Sequence, residues 1–137
     1  MTLQEIGGKL AHAKKLAHVP LKDSLSYAFK LGANKITQIE SGSKDYYVSD
    51  LVVYLNMCDT YMTVSYWDLS YIYGMDDLRE AIKKERKTSG LSVNQLAKLS
   101  RVSYYIIRAF ENGTGRLKMS SFLNIADALN LDIEIEI

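Results

Sequence analysis

The chain has 137 residues and a net charge of +1, with 47% hydrophobic and 24% charged residues, the balance of a soluble globular protein of one ordinary domain or two very small ones. No apolar run is long enough to span a bilayer, and the N-terminus has no apolar signal core. The single cysteine, Cys58, cannot form an intrachain disulfide, so a cytoplasmic protein is expected, and membrane and disulfide-stapled classes are excluded.

In chain order, apolar spacing predicts helices over approximately 3–16, 22–30, 33–41 and 48–57. The stretch "TYMTVSY" then alternates, with Met62, Val64 and Tyr66 on one face and Tyr61, Thr63 and Ser65 on the other, which predicts a half-buried strand. Residues 67–75, "WDLSYIYGM", are aromatic and apolar, so this joint is expected to pack and not to act as a loose tether. Helical spacing resumes in "DDLREAIKKERKTSG", at Leu78, Ala81, Ile82 and Glu85, and Gly90 ends it. Ser92 with Gln95 three residues on predicts a capping box for the next helix. Ser103 opens a further helix that stops at Gly113, and "SSFLNIADALN" is apolar at Phe122, Ile125, Ala126 and Leu129. Finally "LDIEIEI" sets Leu131, Ile133, Ile135 and Ile137 against Asp132, Glu134 and Glu136, a second strand.

One frame occurs twice. Ile36, Ile39, Glu40 and Gly42 in "NKITQIESG" answer to Ile107, Phe110, Glu111 and Gly113 in "YYIIRAFENG", at a spacing of 111 − 40 = 71. At that spacing Leu25 meets Leu96, Leu51 meets Phe122, Met62 meets Ile133 and Val64 meets Ile135. Upstream, the first copy carries one extra residue in "KLAHVP". Internal self-similarity of this kind predicts two copies of one unit, residues 1–66 and 76–137, joined by 67–75. Glu40 and Glu111 are expected to form structural ion pairs with Lys14 and Arg86, since no second acid, histidine or metal ligand is placed to make either one catalytic.

The stretches "LSVNQLAKLSRVSYYIIRAFENG" with "FLNIADALNL", and "LKDSLSYAFKLGANKITQIESG" with "LVVYLNM", resemble the phage-repressor (Cro/cI-type, XRE) helix-turn-helix family. The short strands after each unit are similar to those of hip-type antitoxins. The resemblance implies a mainly α fold: two tandem repressor-like helix-turn-helix four-helix units, each followed by a short β-strand, the strands pairing into a small ribbon. It implies a sequence-specific DNA-binding transcriptional regulator, bacterial or from a mobile element, and neither an enzyme nor a cofactor protein. Carried over from the Glu position, the groove-reading residues are Ala33, Asn34 and Gln38 in the first copy and Tyr104, Tyr105 and Ala109 in the second. Lys35, Lys44, Arg108, Arg116 and Lys118 are the expected phosphate clamps, with Asn112 as a further donor. The family's phosphate-touching Gln in its second helix is Lys22 in one copy and Val93 in the other, so the two copies are not equivalent readers.

Charge supports a nucleic-acid face independently. From Lys9 to Lys44 there are seven Lys and two acids, and from Leu78 to Lys118 ten Lys plus Arg and three acids. The remaining segments carry acids alone. Each copy thus has a basic side for phosphates and an acidic side averse to them. His12, His18 and Cys58 lack the spacing of a metal site, and no metal is expected.

The expected partner is double-stranded DNA, with no membrane partner. A toxin or other protein partner and a homodimer remain open, as does the alternative of an interaction module such as an antitoxin or anti-repressor docking through the acidic side. Self-pairing of the last strand between chains would oppose Asp132, Glu134 and Glu136 to like charges. Pairing with residues 60–66 is therefore expected, which makes the chain a single-chain pseudo-dimer.

Overall fold

The computed structural model of the protein describes residues 1–17 and 31–136. Lys22, Leu25, His18, Ile137 and the helix expected at 22–30 lie outside the described residues. The described helices are α1 (Leu3–Leu16), α2 (Ala33–Ser41), α3 (Val48–Met57), α4 (Met75–Thr88), α5 (Val93–Ser100), α6 (Tyr104–Glu111) and α7 (Met119–Ala128). Strands β1 (Met62–Ser65) and β2 (Leu69–Ile72) lie between α3 and α4, and β3 (Asp132–Ile135) follows α7.

Local chemistry sets the helix limits. Thr2 Oγ1 accepts from Glu5 N at 3.1 Å to open α1. The capping box forms as expected, with Gln95 N donating to Ser92 Oγ at 3.1 Å and Ser92 N to Gln95 Oε1 at 2.8 Å. Ser103 Oγ caps α6 through Tyr105 N at 3.2 Å. Asp77 reaches back to the start of α4 and accepts from Tyr73 N and Gly74 N, each at 3.0 Å. Gly42 and Gly113 end α2 and α6 at φ 64° and 77°, the left-handed region where glycine carries no steric penalty. Asp59 and Asn130 adopt the same region after α3 and α7, and Thr60 N and Leu131 N then close back onto Leu55 O and Ala126 O. These two turns aim the chain into β1 and β3.

The strands form one antiparallel sheet in the order β2-β1-β3. β1 pairs with β3 within the chain: Met62 lies opposite Ile135, Thr63 opposite Glu134, Val64 opposite Ile133 and Ser65 opposite Asp132. The three acids thus neighbour uncharged residues, as the charge argument requires. Two expectations need correction. The ribbon has three strands, because the joint supplies β2, with Met62 opposite Ile72 and Ser65 opposite Leu69. Tyr66 lies outside β1 and is 55% exposed, since the chain leaves the strand there to turn into β2. The joint is anchored by buried Ile72, whereas Trp67, Leu69, Tyr71 and Tyr73 are exposed. It is also anchored by Glu85, a buried carboxylate that accepts from Trp67 N at 3.2 Å and Asp68 N at 3.0 Å.

One apolar core runs through the molecule. Ile36 and Ile39 of α2, Ile107 and Phe110 of α6, Leu51 of α3 and Phe122 of α7 are all buried in it, closed by Met62, Val64, Ile72, Ile133 and Ile135 from the sheet. The loops before α3 and α7 also meet. Val48 N donates to Leu117 O at 2.9 Å, Met119 N donates to Tyr46 O at 2.7 Å, and Tyr47 and Lys118 form an isolated antiparallel bridge. Residues 48 and 119, 46 and 117, and 47 and 118 are each separated by 71, so the two hydrogen bonds are reciprocal. The β1–β3 register has the same property, because Thr63 faces Glu134, its own counterpart at that spacing.

Candidate nucleic-acid interface

Helix α6 is held from below and free above. Ile107 and Phe110 are fully buried, whereas Tyr105 is 79% exposed, and Arg108 and Asn112 are also exposed. Tyr104 is half-buried against the core, and its ring meets that of Tyr105 edge-on at 5.3 Å. Ala109 is half-buried; its carbonyl accepts from Thr114 N and Gly115 N at 2.9 and 3.1 Å, which folds the "GTG" turn back over the helix end. The turn between α5 and α6 passes through Arg101 at φ 59° and is closed by Val102 N donating to Ser100 Oγ. Val93, at the position of the family's phosphate contact, is buried.

The foundation of α6 is an ion pair. Arg86 Nε and Nη2 each donate to the Glu111 carboxylate at 2.7 Å, while Arg86 Nη1 donates to Leu91 O at 2.8 Å. The hydrogen bonds to Glu111 raise the guanidinium pKa further, so Arg86 stays charged. In the first half Lys14 Nζ lies 2.5 Å from Glu40 Oε2, and Tyr54 Oη donates to the same oxygen. Burial, followed by that hydrogen bond, pushes the Tyr54 phenol well above its ordinary value, so it remains a neutral donor. Both expected ion pairs are present.

The first-half residues are unequally available. Asn34 and Lys44 are exposed, and Ala33 is half-buried. Lys35 is half-buried with Nζ 3.8 Å from Asp50. Gln38 is committed in part, because its Nε2 donates to Asp45 O at 2.8 Å. Only its remaining amide hydrogen and its oxygen stay free for a base edge.

Two residues outside the expected set contact residues in it or the helix beside them. Tyr47 is a platform: the Arg116 guanidinium stacks 3.6 Å from its ring centroid, and Lys118 Nζ lies 6.0 Å away. A stacked guanidinium keeps its edge N–H groups directed outward, which suits a phosphate. Asp45 caps the start of α7 by accepting from Ser120 N at 3.1 Å and Ser120 Oγ at 2.5 Å. Tyr47 was detectable in the sequence as the counterpart of Lys118 at a spacing of 71. Asp45 gave no signal, because its partner lies 75 residues away.

Cys58 is buried, and burial pushes its thiol up to about 11. Among the described residues no group of three or more His, Cys, Asp or Glu side chains could hold a metal ion. No described helix is long and apolar enough to cross a membrane.

Residues 82–135 match a family model described as Helix-turn-helix, HTH_3, the XRE type of DNA-binding regulatory domain. The matched stretch begins within α4, takes in α5, α6 and α7, and ends in β3. No curated protein and no solved structure matches the chain.

Proposed function

We propose that the protein is a sequence-specific, repressor-like transcriptional regulator that binds double-stranded DNA as a single-chain pseudo-dimer. The observation that carries this reading is reciprocity. The loop contacts (46 with 119, 48 with 117) and the strand contacts (62 with 135, 64 with 133) both exchange residues separated by 71. A two-fold interface between identical subunits has this property, in which residue i meets j and j meets i. Repressors of this type place two recognition helices on successive half-sites, and here α2 and α6 take those parts. The units are residues 1–66 and 76–137, with 67–75 between them.

The roles follow from exposure and from position on the helices. The exposed Asn34 and Tyr105 read bases, with the free part of Gln38 and the half-buried Tyr104. Lys44, Arg108, Asn112, Arg116 and Lys118 hold phosphates, and Lys35 joins them when released from Asp50. Lys22 has the chemistry of a phosphate contact. Ala33 and Ala109 allow close approach. Selection of bound fragments from random DNA, followed by sedimentation of the complex, tests the reading. The expected result is an enriched motif bound by one chain per site with a steep salt dependence. Two chains per minimal site would overturn the pseudo-dimer; no enrichment and a flat salt dependence would overturn DNA binding.

A further inference from the structure

The two edges of the sheet are unequally finished. In an antiparallel ladder, alternate residues turn their N–H and C=O groups toward one neighbour or the other. Glu136 N donates to Tyr61 O at 3.0 Å. With Glu134 opposite Thr63 and Asp132 opposite Ser65, the backbone groups of Asp132, Glu134 and Glu136 face β1, and those of Ile133 and Ile135 face outward. Their counterparts Met62 and Val64 face β2 instead, opposite Ile72 and Ser70. The place beside β3 that corresponds to β2 beside β1 is a free edge among the described residues.

The surroundings of this edge describe what fits it. Ile133 and Ile135 are buried but retain 9% and 7% exposure where Met62 and Val64 retain none, so the apolar face is slightly less covered on this side. Cavities open at both ends of β3. One of about 100 Å³ borders Leu123, Leu131 and Asp132, and one of about 210 Å³ borders Ala13, Leu16 and Glu136. On the outer face Asp132 and Glu134 are exposed and Glu136 is half-buried. Among the described residues no Lys or Arg forms an ion pair with any of the three.

We propose that the free edge of β3 receives a strand from a partner protein, antiparallel, with apolar residues toward Ile133 and Ile135 alternating with Lys or Arg toward Asp132, Glu134 and Glu136. Main-chain hydrogen bonds supply affinity in such strand addition, and the alternate side chains supply specificity. A second copy of β3 is a poor occupant because its acids would face these acids. β2 of a second copy, "LSYI", brings no cation. The proposal uses the correspondence between the two halves but not DNA binding.

The probe is a capped synthetic peptide of alternating valine and lysine, added to the full chain while amide exchange is followed by NMR. The Ile133 and Ile135 amides exchange roughly tenfold more slowly with the peptide bound, whereas Asp132 and Glu134, already bonded to β1, change little. The matching valine–glutamate peptide gives no protection. Glu134→Lys abolishes protection by the lysine peptide while exchange at Leu96 and Phe110 stays slow, which shows an intact core. Equal protection by both peptides, protection by neither, or protection at β2 overturns the proposal; where neither protects, the acids serve only to keep the edge single. DNA binding measured on the same samples bears on the regulator reading alone.

Discussion

Glu40 and Glu111 end equivalent frames, yet their charges are met differently. Glu111 is 4% exposed at its side chain and is gripped by the planar fork of Arg86. Glu40 is 15% exposed and shares one oxygen between Lys14 and the neutral phenol of Tyr54. A guanidinium supplies two parallel donors in one rigid group and is weakly hydrated, so it can follow a carboxylate into the core. An ammonium is a point charge that stays nearer water, and here a tyrosine makes up the missing donor. The helix ends differ to match. A Cβ at Gly7 would lie 2.1 Å from Glu40 O, so α1 runs directly against the end of α2. Upstream of the extra residue the spacing is 86 − 14 = 72, which makes Arg79 the counterpart of Gly7. Arg79 fills a wider gap, donating to Phe110 O at 3.0 Å beneath the Gly113 turn. One frame therefore tolerates two packings, provided the carboxylate, buried in one and half-buried in the other, meets a cation in each.

The largest expected effect is at the better-buried pair. Arg86→Met leaves Glu111 without a counter-charge and should cost about 3–5 kcal/mol in urea unfolding. Lys14→Met should cost about 1–2 kcal/mol, since Tyr54 still donates and Glu40 keeps some water. Equal losses would break the contrast between the two halves.

Gly7→Ala comes next. The new methyl meets backbone and not the end of a flexible side chain, so α1 must shift, at about 1–3 kcal/mol. Gly113→Ala, by contrast, meets only Arg79 at 3.5 Å and should cost about 1–2 kcal/mol, from its positive φ. Thermal melting of both variants checks the order.

The comparison extends to DNA. Asn34→Ala should relax base preference at one position by about 1–3 kcal/mol, whereas Arg116→Ala should weaken all sequences alike and lower the salt slope. Binding titrations on a mutated operator set, at several salt concentrations, separate the two. Unchanged preference in Asn34→Ala would remove α2 as a reader.

The smallest effect is expected at the seam. Asp45→Ala deprives Ser120 N and Oγ of their acceptor at an exposed helix start and should cost about 0.5–2 kcal/mol by urea unfolding, the range of a lost N-cap. No change would mean that water replaces the carboxylate there.

Much of this architecture was written locally. Ser92 with Gln95, Ser103, Gly42 and Gly113 mark helix ends because a cap joins residues two to four positions apart. The alternation in "TYMTVSY" and "LDIEIEI" marks strands because side chains in a strand change face at every residue. The Arg86–Glu111 and Lys14–Glu40 pairs were also legible, from charge at repeated positions. Other features depend on which surfaces meet. "LSYI" has no charge pattern of its own, and it becomes β2 because β1 presents an edge and Ile72 finds the core. Gln38 carries an amide suited to adenine, yet one hydrogen is drawn off by Asp45 O in the following loop. Tyr47 becomes a platform only when the two loops pair and bring Arg116 above it. Caps and periodicity act within a few residues along the chain, whereas these contacts join residues brought together by packing, so only the tertiary structure decides them.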